Sequence, residues 1–206
     1  QTPLFSAVMS VVDDFKTETI VDTLLAAGAN ALHVCSEGKV PLHVAIETNQ
    51  YSTANTLFEQ IQNTPNFNSI VDRNNKSFVQ YCAESSMHLL ALDILTSNPT
   101  WIEHKDKYLN TIWHSIAQGG SMEILDYIVR KCEHFVLLDM LQTVNKHKRN
   151  VFHIAAALDR VDVIQEILRF IDNEEIVGSL LKAIDIYGMT PIHYAALRGA
   201  FFTLDF

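Results

Sequence analysis

The chain repeats itself. The heptapeptide Thr190-Pro191-Ile192-His193-Tyr194-Ala195-Ala196 has blurred counterparts beginning at Thr2, Val40, Ser77, Thr111 and Asn150. Successive starts lie 38, 37, 34, 39 and 40 residues apart. A period of this size is the signature of a solenoid, in which each unit carries an apolar face that only its neighbours can cover. The expected architecture is therefore a stack of six units forming one domain over residues 1–206.

The register persists where the motif has decayed. Apolar pairs stand 17 and 18 residues after four of the starts, as Leu57-Phe58, Ile94-Leu95, Ile128-Val129 and Ile167-Leu168. The matching pair of the first unit, Leu24-Leu25, comes five residues late, which predicts a short insertion around residues 12–17. Three residues after the start stand His43, His114, His153 and His193, with Phe5 and Gln80 as exceptions. Two positions further on, Ala7, Ala45, Cys82, Ala155 and Ala195 are small enough for two helix backbones to approach; Ile116 is the outlier. Five residues before four of the starts come Asp72, Asp106, Asn145 and Asp185, turn formers whose side chains can bond their own backbone. Gly38 and Gly188 follow at a position where a positive φ is cheap.

These residues resemble the ankyrin repeat, with its Asp-x-x-Gly-x-Thr-Pro-Leu-His-x-Ala-Ala core and Gly-Ala ending. Asp185, Gly188, Thr190, Pro191, His193, Ala195, Ala196 and Gly199 match in the last unit, and Gly28-Ala29-Asn30 supplies the ending of the first. The likeness covers nearly the whole chain and is weakest in the third unit, where Ser77-Phe78-Val79-Gln80 replaces the motif. It implies an all-α solenoid of stacked helix-turn-helix units joined by hairpin loops, in which the motif histidines bridge adjacent hairpins rather than bind metal. It also implies that the chain binds a partner protein through hairpin tips and a concave groove.

Composition narrows the function. With 48% hydrophobic and 19% charged residues the chain can bury a sizeable core. A net charge of −9 argues against nucleic acid or an anionic membrane as the partner. No apolar run is long enough to span a bilayer, and the N-terminus lacks the layout of a secretory signal. Cys35, Cys82 and Cys132 are odd in number and far apart, which suits reduced thiols in a cytoplasmic compartment. No phosphate-binding glycine loop, zinc helix or kinase signature is present, so the expectation is a monomeric, non-catalytic scaffold without cofactor or metal. The chain begins with Gln1 and stops at Phe206, inside an expected helix, which points to a fragment of a larger protein. Alternative readings are the substrate-recruiting module of a larger enzyme, a bacterial effector acting in a host cytoplasm, and the cytosolic repeat domain of a membrane channel.

Paired helices are expected over residues 3–11 and 18–27, 41–47 and 52–61, 78–84 and 87–96, 112–118 and 122–132, and 151–158 and 161–171, with one more over 191–198. Residues 63–69 read as a polar loop. Residues 135–141 and 174–183 hold apolar residues at helical spacing and read as extra half-turns or a lengthened second helix on the outer face.

The tips carry the candidate partner-binding residues. Arg73 and Lys76, then Lys107 and Tyr108, then Lys146, His147, Lys148 and Arg149 collect positive charge along one edge of an acidic chain. An acidic protein segment is the matching partner, with Tyr108, Tyr187 and Tyr194 as aromatic anchors. On the inner helices, groove-facing positions grade from polar at Glu47 and Glu84 to apolar at Leu158 and Leu197, beside Arg198.

Overall fold

The computed structural model describes residues 2–10 and 13–205. Every regular element among them is helical, and the chain divides into two compact units, residues 1–101 and 102–206.

The first unit holds α1 (Pro3–Met9), α2 (Asp14–Ala26), α3 (Pro41–Glu47), α4 (Tyr51–Ile61), α5 (Phe78–Glu84) and α6 (His88–Ser97). Each odd helix packs against the even helix that follows it, α1 packs on α3 and α3 on α5, and α2 packs on α4. The apolar positions point into this arrangement: Leu4, Leu42, Ile46, Leu57, Ile61, Phe78, Leu90 and Ile94 are almost wholly buried. The second unit holds α7 (Ile112–Gly119), α8 (Met122–Lys131), α9 (His134–Leu141), α10 (Val151–Ala157), α11 (Val161–Arg169), α12 (Glu174–Lys182), α13 (Pro191–Arg198) and α14 (Phe201–Asp205). Here α10 packs on both α7 and α13, and Trp113, Ile116, Phe152, Val163 and Ile167 are buried.

All six repeat starts are helix N-caps: Thr2, Val40, Ser77, Thr111, Asn150 and Thr190. Pro3, Pro41 and Pro191 take the first helical position, where a missing N–H costs nothing. The motif histidines close each start from the other side. The Nδ1 atoms of His43, His114, His153 and His193 accept the N-cap amides at 3.1 to 3.2 Å. An amide can only donate, so the imidazole proton sits on Nε2. His114 Nε2 accordingly donates to the Arg149 carbonyl at 2.9 Å and His153 Nε2 to the Met189 carbonyl at 3.1 Å, each joining one repeat to the next. In the third repeat Gln80 does the local half of this work: its Oε1 accepts the Ser77 amide at 3.1 Å, and Ser77 Oγ accepts the Gln80 amide at 3.3 Å. The degenerate motif thus keeps its capping chemistry with another side chain.

Three local expectations change. Helix α2 begins at Asp14, so most of the stretch read as an insertion is helix, and buried Thr17 and Val21 fix its inner face; Val11 and Val12 lie outside the described residues. Residues 63–69 are more than a polar loop: a 3₁₀ turn at Phe67–Ser69 inserts Phe67, 3% exposed, 5.7 Å from both the Phe58 and Phe78 rings. The apolar segments after α8 and α11 are separate helices, α9 and α12, started by Glu133 and Asn173 and held by buried Leu137, Leu141 and Leu180.

Two helices are capped by a neighbouring repeat. The Asp14 carboxylate accepts the amides of Ser52 and Thr53 at 2.8 and 3.1 Å and the Thr53 hydroxyl at 2.9 Å, at the start of α4. Asp159 does the same for α14, accepting the Thr203 amide and hydroxyl, both at 2.9 Å. Gln50, the N-cap of α4, makes no capping bond of its own. Asp14→Ala should therefore cost about 1 kcal/mol, the usual worth of a lost cap, read as a lower urea midpoint. An unchanged midpoint would show that water caps α4 equally well.

Candidate recognition surface

The turns between repeats are built alike. In the second unit Asp106 Oδ1 accepts the amides of Tyr108 and Asn110, each at 2.8 Å. Asn145 Oδ1 does so for His147 and Arg149 at 2.9 and 3.1 Å, and Asp185 Oδ1 for Tyr187 and Met189 at 2.8 and 3.1 Å. Asp72 repeats the pattern in the first unit with Asn74 and Lys76. Cys35 takes this place in the first turn, its Sγ accepting the Glu37 amide at 3.4 Å. Cys35 thus serves as a turn former beside an open recess of about 590 Å³ lined with Phe5, Met9, Val34 and Lys39.

Within each unit the turns tie to one another through the backbone. In the second unit Lys146 N–H donates to the Tyr108 carbonyl at 2.8 Å and Ile186 N–H to the His147 carbonyl at 3.0 Å. In the first, Arg73 N–H donates to the Glu37 carbonyl at 2.9 Å. Turn side chains are therefore presented from a braced backbone, and ordering them on binding loses little entropy.

Exposed on the second unit's tips are Lys107, Tyr108, Lys146, His147, Lys148 and Tyr187, with Ile186 between the last two tips. Lys107, Lys146 and Lys148 form no ion pair among the described residues. Arg73 is exposed on the first unit, and Leu158 and Arg198 are exposed on the second. Tyr187, 68% exposed, and Tyr108, 45% exposed, are the accessible aromatic rings of this face.

Three of the expected surface residues are occupied inside the fold. Lys76 pairs with Glu84 at 2.6 Å and lies 4.2 Å from the centre of the Tyr81 ring. Arg149 donates to Asp185 through Nε at 3.1 Å and to the Tyr194 hydroxyl, with its guanidinium 4.7 Å from the Tyr194 ring centre. Tyr194 is only 9% exposed, and its hydroxyl also donates to Asp185 Oδ2 at 2.6 Å. A buried carboxylate demands donors, so Arg149 and Tyr194 serve Asp185 before any partner. Burial alone would raise the Asp185 carboxyl; the bonds from Tyr194, Met189, Tyr187 and Arg149 outweigh it and hold the group below the usual carboxylate range.

The same construction recurs in the first unit. Tyr81 donates to Asp72 at 3.0 Å, and Lys39, paired with Glu47 and Glu37, lies 5.6 Å from the Tyr81 ring centre. Burial works against the charge on Lys39, yet its bonds to Glu47 and Glu37 prevail and raise its pKa. Glu47 and Glu84, expected as polar groove residues, are thus partners of Lys39 and Lys76.

His43, His114 and His153 are neutral structural groups. Burial is the leading cause of their lowered pKa values, to about 3 for His43 and in the same direction for His114 and His153. Cys82 is wholly buried and its thiol is pushed up, leaving it little thiolate for nucleophilic chemistry. Among the described residues no cluster of His, Cys, Asp and Glu could hold a metal ion, and no helix is long and apolar enough to cross a membrane.

Helical hairpins repeated in register, bridged in the second unit by His114 and His153 and ending in bonded turns, define a repeat scaffold. Its fold is that of the ankyrin repeat. The chain is similar to the ankyrin repeat domain of Bcl-3, a unique member of the IkappaB protein family, with a TM-score of 0.61 and 18% identity over 99% of this chain and 83% of that one. It is also similar to the ankyrin repeat protein EF0377, with a TM-score of 0.66 and 14% identity over 98% and 94% of the two chains. Transient receptor potential cation channel subfamily A member 1 of Homo sapiens is 22% identical over 190 residues, 90% of this chain; the chain spans 16% of that relative's length. No protein-family profile matches.

Proposed function

We propose that this chain is a protein-recognition module that binds an acidic segment of a partner along the tips of its second unit. The observation that carries this reading is the group of unpaired lysines, Lys107, Lys146 and Lys148, held beside exposed Tyr108, Ile186 and Tyr187 on turns bonded to one another, in a chain of net charge −9. Lysines supply attraction and orientation, the two rings supply apolar contact area, and the braced backbone keeps the ordering cost low. No bond is made or broken in this mechanism. Unpaired Cys35, Cys82 and Cys132 support a reducing, cytoplasmic setting, and the sixfold register supports one continuous domain acting as a monomer.

The triple variant Lys107→Glu, Lys146→Glu and Lys148→Glu tests it. Arg149 is left in place because of its bonds to Asp185 and Tyr194. In affinity capture followed by titration of each captured protein, the variant should lose at least tenfold in affinity, about 1.4 kcal/mol, with its helical circular dichroism unchanged. Equal affinity of both forms for every captured protein would remove the lysine face from the account.

The likeness to a cation channel subunit favours a second reading, in which this module is one cytosolic segment of a channel. The complete reading frame decides it. Apolar stretches of about 20 residues would support a channel, and their absence would exclude one.

A further inference from the structure

We propose that Leu109 and Lys148 determine which acidic partner the second unit's tips accept, Leu109 reading an apolar side chain and Lys148 a carboxylate. This deepens the recognition reading above and rests on it.

The starting observation is backbone conformation. The residue two positions before the inner-helix N-cap has a positive φ in every one of the five turns: Gly38 at 78°, Asn75 at 59°, Leu109 at 62°, Lys148 at 57° and Gly188 at 71°. Glycine reaches this region freely and asparagine comparatively cheaply, whereas leucine and lysine crowd Cβ against the following carbonyl. At Gly38 there is no room for anything else, because a Cβ would meet the Arg73 nitrogen at 2.4 Å. At Leu109 and Lys148 a side chain is retained despite the strain.

Packing gives little in return for that strain. Leu109 is 44% exposed, and Lys148 is exposed and forms no ion pair among the described residues. Strain kept where the fold gains little marks a side chain held for contact with something else. The surroundings name the chemistry. Leu109 adjoins Tyr108 on a tip whose carbonyl binds the Lys146 amide, and Lys148 stands on that next tip beside His147, whose carbonyl binds Ile186. The two strained residues thus present an apolar group and a cation on consecutive, bonded turns. The matching occupant is a protein segment with neighbouring acidic and apolar residues; positive charge on an acidic chain supplies the complementarity.

Fluorescence anisotropy with two labelled peptides tests this, one built from Glu, Asp, Leu and Phe, the other with Leu and Phe replaced by Ser. Leu109→Gly should weaken the first peptide about tenfold and leave the second unchanged, because only the apolar contact is removed. Lys148→Gly should weaken both. The thermal midpoint of each variant should hold or rise, since glycine relieves the left-handed conformation. Leu109→Met should retain binding. If the wild type binds but neither glycine variant alters affinity, or if the midpoints fall by more than about 4 °C while binding persists, these residues are structural and the assignment is overturned. Failure of the wild type to bind either peptide would sink the recognition reading itself, and this assignment with it.

Discussion

Acidification from pH 7 to pH 5 is expected to remove about 2 kcal/mol of stability from the first unit through His43 alone. The sign follows from burial. His43 in the folded chain has its pKa lowered to about 3 from an ordinary 6.5, so the unfolded chain takes up the proton first. Its contribution is complete above the unfolded value and drains away as pH falls from about 6.5 toward 3, at about 1.4 kcal/mol per pH unit. His114 and His153 are lowered in the same direction and add to the loss in the second unit. Asp185 is also lowered, but an ordinary carboxylate titrates near 4, so between pH 6.5 and 5 the imidazoles dominate. Urea midpoints measured across that window check the slope. Gln80 shows which substitution isolates it, since it already fills the histidine position of the third repeat with the same N-cap bond. His43→Gln should flatten the pH dependence of the first unit while keeping α3; an equally steep profile in that variant would refute the assignment.

Asp185→Ala should destabilise the second unit by about 3–5 kcal/mol, the cost of stranding the partners of a buried charge. One carboxylate accepts from Tyr187 N–H, Met189 N–H, the Tyr194 hydroxyl and Arg149 Nε, and removing it leaves these donors without their acceptor around α13. Asp185→Asn is the graded control. Asn145 holds the preceding turn with the same two backbone bonds, so the amide oxygen should keep the turn, while the amide nitrogen in place of Oδ2 cannot accept from Tyr194 or Arg149. Thermal unfolding should therefore rank wild type above Asn above Ala. Should Asn prove as stable as wild type, the Tyr194 and Arg149 contacts would be incidental to the fold.

The scaffold was readable in advance because each motif position has a local reason. Threonine or serine caps, proline starts, histidine or glutamine closes the cap, and a small residue lets helices approach; all six starts therefore fall on N-caps. What escaped reading depends on contacts between residues far apart in sequence. Lys76 has an acid eight residues on, Glu84, where Lys107 and Lys146 have none, but nothing near Arg149 marks it, and only the structure reveals that Asp185, 36 residues away, claims it. Phe67 sat in a polar stretch, yet the gap between Phe58 and Phe78 requires a ring. The left-handed backbone at Leu109 was hidden because two of the five turns advertise it with glycine and two others mask it with Leu and Lys. The glycines at 38 and 188 were in fact the available clue, since the shared register places Leu109 and Lys148 at the same turn position.

The carboxylates of Asp14 and Asp159 make repeat order a heritable constraint. Hairpins that supplied every one of their own terminal acceptors could be duplicated, deleted or traded between positions like beads on a string. Here the hairpin containing Ser52 and Thr53 borrows an acceptor from its predecessor, so transplanting it beside a neighbour lacking that aspartate would leave its opening amides dependent on solvent. Recombination that cuts between these repeats therefore carries a handicap that cutting outside the pair does not.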